Sequence, residues 1–199
     1  MLDRTSPAFA PLNRGYNATF RPGRLSIGLV APLEAHGSDP VPDMTRHIAR
    51  AHLADALGFS ALWLRDVPFN VPSFGDAGQV FDPFVYIGAL AASTHDIALG
   101  VASIVLPLRH PVQTAEEFAQ LDILSGGRFI GGIVRGVPQE YVSYNIDPFT
   151  SRERFAECYD ILNKCLTEEI FDYQGKFYDL KAVSVWPKPL QNPLPIWMP

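Results

Sequence analysis

Arg135 stands directly after Phe129 to Val134, a run without a single charge. Earlier in the chain, the apolar stretch that begins at Ile97 delivers a pair of small residues, Ala102-Ser103, followed by Ile104-Val105-Leu106. A guanidinium suits a bidentate, charge-assisted grip on a phosphate better than an ammonium does. Small side chains let a planar ring lie close against the backbone, with the Ser103 hydroxyl as a donor. Together these residues suit a flat, phosphorylated ligand. Each also has a plainer reading: Arg135 as half of an ion pair at a rim, and Ala102-Ser103 as ordinary core packing. The ligand reading requires that both lie at the C-terminal ends of parallel strands, where α/β folds bind their ligands.

Other residues compete for chemical roles. Arg65-Asp66 ends a further apolar run, Ala61 to Leu64, and reads either as a functional acid or as an internal ion pair fixing the loop from Val67 to Pro83. His110 precedes Pro111 at a helix entry and is placed for proton transfer on the same side of such a fold. Asp122 shares a helical face with Ala115, Phe118 and Ala119, and we expect it to pair with Arg128 and close the helix-to-strand turn. His47 and His52 fall on different helix faces and no second cluster supplies ligands, so no metal site is expected. The chain has no G-x-S-x-G, and no Cys–His pairing at strand ends, which disfavours a nucleophilic hydrolase.

These residues need a scaffold, and the hydrophobic pattern supplies one. Leu25–Ala31, Ala61–Leu64, Ile97–Ser103 and Phe129–Val134 read as buried, non-alternating strands. Helical spacing separates them: Met44 to Asp55 with a stop at Gly58, Pro83 to Ser93, and Pro111 to Leu124 with a stop at Gly126-Gly127. Phe155, Cys158, Tyr159, Leu162, Cys165 and Leu166 form one apolar stripe, and Thr150-x-x-Glu153 has the form of a capping box. Phe177-Tyr178 and Val183-Ser184-Val185 suggest a short β excursion, and Pro195 to Pro199 the entry of a fifth strand. Alternating strands and helices imply a parallel sheet, either doubly wound or a (β/α)₈ barrel. Pro32-Leu33-Glu34 follows the first strand in place of G-x-G-x-x-G, so the dinucleotide version of the doubly wound fold loses its main support.

Composition sets the limits. At 199 residues and 47% hydrophobic, the chain can bury a core as one domain. Its formal net charge of −5 argues against general nucleic-acid binding, and no window approaches a membrane span. The N-terminus carries no apolar signal-peptide core, and Cys158 and Cys165 lie too far apart along a helix for a disulfide. A reduced, cytoplasmic protein is the expectation. Residues 1–23 read as an N-terminal arm and residues 24–199 as the barrel-type domain.

The segment VASIVLPLRHPVQTAEEFAQLDILSGGRFIGGIVRG closely resembles the third-to-fourth-strand region of the bacterial luciferase-like, flavin-dependent monooxygenase family. The resemblance continues through EYVSYNIDPFTSRERFAECYDIL to KPLQNPLPIWM, and so covers Leu25 to the C-terminus. NRGYNATF and RDVPFNVPSFGDAGQVFDPFVY are similar to a subgroup of luciferase-type oxidoreductases. It implies a TIM (β/α)₈ barrel, here truncated after about five strands. It also implies FMN, or in one branch a deazaflavin, bound at the strand C-termini. By resemblance, Ala102-Ser103 carry a non-proline cis peptide beneath the isoalloxazine, Arg135 with Gly136 grips the flavin phosphate, and the Val137 backbone faces the ring. Where luciferases carry an acid and a catalytic histidine, this chain reads Arg65-Asp66 without the histidine. Light emission is therefore not supported; acid–base work falls to Asp66, with His110 as a second candidate. The remaining phosphate ligands of the family lie past the fifth strand. The implied partners are a small organic substrate, oxygen, a separate flavin reductase that supplies reduced FMN, and a second copy in a homodimer. The rival readings are a shortened, non-catalytic flavin-binding protein and an inactive fragment of a longer enzyme.

Overall fold

A computed structural model of the chain describes residues 13–20, 22–32, 42–69 and 81–199. Most of the N-terminal arm, the Leu33-Glu34 part of the turn after the first strand, and residues 70–80 of the long loop lie outside the described residues. In chain order the elements are α1 (Arg14–Thr19), β1 (Gly28–Ala31), α2 (His47–Ala56), β2 (Ala61–Leu64), α3 (Pro83–Ser93), β3 (Ala98–Val101) and β4 (Ile104–Val105). There follow α4 (Pro111–Leu124), β5 (Phe129–Val134), α5 (Pro138–Ser143), α6 (Ser151–Thr167), β6 (Phe171–Gln174), β7 (Asp179–Val183) and β8 (Ile196–Trp197).

The main sheet decides between the two parallel architectures. β1 pairs with β2, β2 with β3, β3 and β4 with β5, and β5 with β8, every pair parallel. β3 and β4 are one strand interrupted at Ala102-Ser103, since Gly100 pairs with Ile130 and Ile104 with Ile133 on the same neighbour. Strands therefore lie in space in the order they occur in the chain. A doubly wound sheet reverses that order at a switch point, whereas a barrel wall does not. This is barrel winding. β6 and β7 form a separate antiparallel hairpin with a register shift, the β excursion expected from the sequence.

The two faces of the sheet differ. Leu62, Leu64, Leu99, Val101, Phe129 and Ile133 join one buried cluster with Ala51 and Ala54 of α2, Ile87 and Leu90 of α3, Phe118 of α4 and Ile161 of α6. The opposite face carries Ala61, Ala98 and Ile130, packed by Trp63 and by Phe20 just after α1. Trp63 lies across the glycines of its neighbours: a Cβ on Gly28 would meet its Nε1 at 2.8 Å, and one on Gly100 its ring at 2.4 Å. The glycines make room for the indole.

Three expectations need correction. The first strand is shorter than Leu25–Ala31, and it is not buried: Leu25, Ile27 and Val30 are 91%, 59% and 56% exposed, because β1 is an edge strand with no described neighbour beyond it. Thr150 does not cap α6 with its side chain; its Oγ1 donates to the Asp147 carbonyl, and Glu153 instead pairs with Lys176 at 2.6 Å. Asp122 does not pair with Arg128. Its carboxylate accepts from the Gln191 backbone N–H (2.9 Å) and from Gln191 Nε2 (2.6 Å), tying α4 to the approach of β8. Arg128 is buried among oxygens, donating to the carbonyls of Ala91, Thr94, Ile97 and Ser125 and to Thr94 Oγ1. Helix ends and turns supply carbonyls that need donors, so a guanidinium satisfies several at once.

Candidate active site

The C-terminal ends of β2, β4 and β5, together with β8, surround a cleft of about 380 Å³. Its lining includes Arg65, Asp66, Phe69, Ala102, Ser103, Val105, Gly136, Val137, Glu140 and Trp197. Of the residues proposed from the sequence, the structure thus brings together Asp66, Ala102, Ser103, Gly136 and Val137. The Ala102–Ser103 peptide is cis, as the resemblance implies. Local bonding fixes this floor: Ala102 N donates to the Leu64 carbonyl of β2 at 2.7 Å. Beneath it β5 has no room for a side chain, since a Cβ on Gly132 would fall 1.7 Å from the Val101 carbonyl oxygen and 3.2 Å from Ser103 Oγ.

Arg135 and His110 stand elsewhere. Arg135 is exposed at the rim, one residue before Gly136, and is not among the residues lining the cleft. Among the described residues its guanidinium makes no hydrogen bond or ion pair, so the rim ion pair is not formed there. Its backbone is held, because the Tyr141 hydroxyl donates to the Arg135 carbonyl. Burial pushes the Tyr141 phenol up to about 12, so it stays a donor at neutral pH. His110 is exposed at the entry of α4, makes no cap with its side chain, and meets the Tyr178 ring edge-on at 5.6 Å. It does not line the cleft.

Asp66 is the buried charge of the site, its side chain 6% exposed. Its carboxylate accepts from Val105 N–H (3.4 Å) and from Arg109 Nη2 (3.4 Å). Burial pushes its pKa above the ordinary carboxylate value, and the Arg109 charge and the Val105 N–H pull it back only in part. A second cavity of about 300 Å³ adjoins the first, sharing Asp66, Val67 and Val105 and adding Asp82, Leu108, Arg109 and Tyr144.

Sequence reasoning missed three of these charged groups, Glu140, Arg109 and Asp82. Glu140 accepts from the Val137 backbone N–H at 2.8 Å, closing the first turn of α5, and burial raises its pKa. Its signal is Pro138 at the first helical position with an acid two residues on. Arg109 lies in the quoted LPLRHP string but has no local pattern of its own; its partners are 43 and 27 residues away in the chain.

A family model described as luciferase-like monooxygenase matches residues 23–198 of this chain. The chain belongs to that family. Among its relatives, 4-hydroxyprotoasukamycin monooxygenase of Streptomyces nodosus subsp. asukaensis is 33% identical over 72% of this chain and 38% of its own length. The oxygenase component of the flavin-dependent trigonelline monooxygenase of Acinetobacter baylyi is 31% identical over 76% of this chain and 41% of its own. Among solved structures, monooxygenase RslO1 from Streptomyces bottropensis superposes with a TM-score of 0.75 at 26% identity, covering 87% of this chain and 53% of that one. The chain thus spans about two fifths of the length of these relatives and about half of that structure.

Proposed function

We propose that the strand-end cleft of this luciferase-like chain is the flavin bed of a monooxygenase. It would use reduced FMN and oxygen on a small organic substrate. The observation that carries the reading is the meeting, in one cleft, of a floor of small residues, Ala102, Ser103 and Gly136, with the buried acid Asp66. The residues fit the group. Ala102, Ser103 and Gly136 leave the lining free of bulky side chains at that point, the cleft volume is within the range of small-molecule sites, and Arg135 stands at the rim with its guanidinium unpaired among the described residues. In this reading Arg135 takes the phosphate and Val137 presents its backbone to the ring.

When bound, the reduced flavin supplies the electrons for oxygen activation, and the protein supplies orientation and electrostatics. Ala102 and Ser103 hold one face of the ring, with the Ser103 hydroxyl available to its polar edge. Asp66 exchanges a proton with the substrate from a buried position, where a raised pKa favours general acid–base work. His110, outside the cleft, keeps a role only if substrate reaches the entry of α4. The relative named as an oxygenase component supports a separate reductase as partner here. The same reading has the protein act in the cytoplasm, as a homodimer.

The test is an FMN titration of Arg135→Ala. A loss of affinity with the fold intact supports the phosphate role, and an unchanged affinity removes it. A parallel titration with a deazaflavin decides between the two cofactor branches.

A further inference from the structure

The second cavity adjoins the flavin cleft along Asp66, Val67 and Val105, and the Asp66 carboxylate at that junction accepts from the Arg109 guanidinium and the Val105 N–H. Arg109 is itself anchored on three sides. Its Nη2 donates to Asp82 Oδ2 at 2.9 Å as well as to Asp66 Oδ1 at 3.4 Å, and its guanidinium carbon lies 4.6 Å from the centre of the Phe84 ring. Asp82 is rigid in turn, because its other oxygen caps α3, accepting from the N–H groups of Phe84 (2.9 Å) and Val85 (3.1 Å). The chain of contacts therefore runs from a helix cap, through a fixed guanidinium, to a buried acid at the junction of two cavities.

We propose that Arg109 is the positioning residue for Asp66, holding that carboxylate at the junction and setting whether it carries a proton. The proposal rests on the reading of the adjoining cleft as a flavin-dependent active site, and it adds a residue to that site's machinery. The two acids on Arg109 are unequal. Asp82 is 43% exposed and solvent screens it, whereas Asp66 is 6% exposed and depends on its partner. The remaining groups facing this pair are Glu117, which adds to the field on Arg109, Glu140 across the flavin cleft, Arg65 next to Asp66 in the chain, and Tyr144 in the second cavity. The carboxylates of Asp82 and Glu140 repel the Asp66 charge, and the Arg109 guanidinium, hydrogen-bonded to it, attracts it.

The experiment follows the carboxyl carbon of Asp66 by NMR in the 199-residue chain labelled at aspartate, assigned with Asp66→Asn, across a pH series without flavin. Arg109→Met should raise the Asp66 midpoint by about 1 pH unit or more, the usual effect of an opposite charge at this range. Arg109→Lys should restore most of the difference. If Arg109→Met does not fold, as judged by near-ultraviolet circular dichroism, Arg109→Gln, which keeps an N–H donor without the charge, carries the test and should raise the midpoint likewise. A folded Arg109→Met or Arg109→Gln with the wild-type midpoint overturns the proposal. FMN titration of the same proteins separates the two ideas: absent flavin binding in the wild type defeats the functional reading and leaves the midpoints unaffected.

Discussion

Gly132→Ala is the most informative single substitution, because it acts on the floor of the cleft through backbone alone. The new methyl would lie 1.7 Å from the Val101 carbonyl oxygen and 2.7 Å from its carbon. No rotamer change relieves contact with a main-chain carbonyl, so β3 and β5 must part at the point where the strand breaks at Ala102-Ser103. Overpacking in a well-packed interior costs about 1–3 kcal/mol. A clash with backbone belongs at the upper end, about 3 kcal/mol. For a chain of this length each kcal/mol moves the melting midpoint by about 2–4 °C, which gives a fall of roughly 6–12 °C. Gly88→Ala is the matched control. Gly88 lies inside α3 with nothing within 4 Å of an added Cβ, and the change should stabilise by about 0.5–1 kcal/mol. Thermal unfolding followed by circular dichroism reads both. A Gly132→Ala midpoint within about 2 °C of wild type, less than 1 kcal/mol of destabilisation, would show that β3 and β5 do not approach as described.

Arg128→Met should lose about 3 kcal/mol or more in urea denaturation, because buried carbonyls of Ala91, Thr94, Ile97 and Ser125 lose their donor; a loss below about 1 kcal/mol would mean that those oxygens are satisfied otherwise. Asp55 accepts from the N–H groups of His95 (2.6 Å), Asp96 (3.1 Å) and Ile97 (2.8 Å), and although burial opposes it, these bonds hold its pKa below the ordinary 3.8. A depressed carboxylate pKa contributes stability above the unfolded value that is lost as pH falls through the folded one, so Asp55→Asn should flatten the stability–pH curve below about pH 3.8. An acid limb of unchanged slope in that variant would refute the assignment.

Much of this architecture is legible in the sequence, and the exceptions share a cause. Phe129–Val134 and Ala61–Leu64 appear as strands at the expected positions, since uninterrupted apolar runs bounded by Gly126-Gly127 and by Arg65-Asp66 leave little ambiguity. Pro83 and Pro111 mark their helix starts because proline is pre-set for the first turn. The misreadings concern side chains whose partners are remote. Asp122 and Arg128 are near in sequence, yet Gln191 lies 69 residues from Asp122, and Arg128 reaches back 37 residues to Ala91. Thr150 and Glu153 have the right spacing for a cap, but Asp147 and Lys176 offer competing partners that a local pattern does not reveal. The site shows the same division. Ala102, Ser103, Gly136 and Val137 follow from strand ends plus resemblance, while Arg109 needs β2, the start of α3 and the turn before α4 to converge.

Whether the strand-end cleft holds the flavin is read by fluorescence titration of FMN into the chain and into Val134→Trp. Val134 lines the cleft, and an indole there occupies the space assigned to the ring. Saturable binding to the wild type and its loss in a folded Val134→Trp are expected. Equal binding by the two proteins would place the flavin elsewhere, and no saturable binding to the wild type would contradict the flavin bed itself.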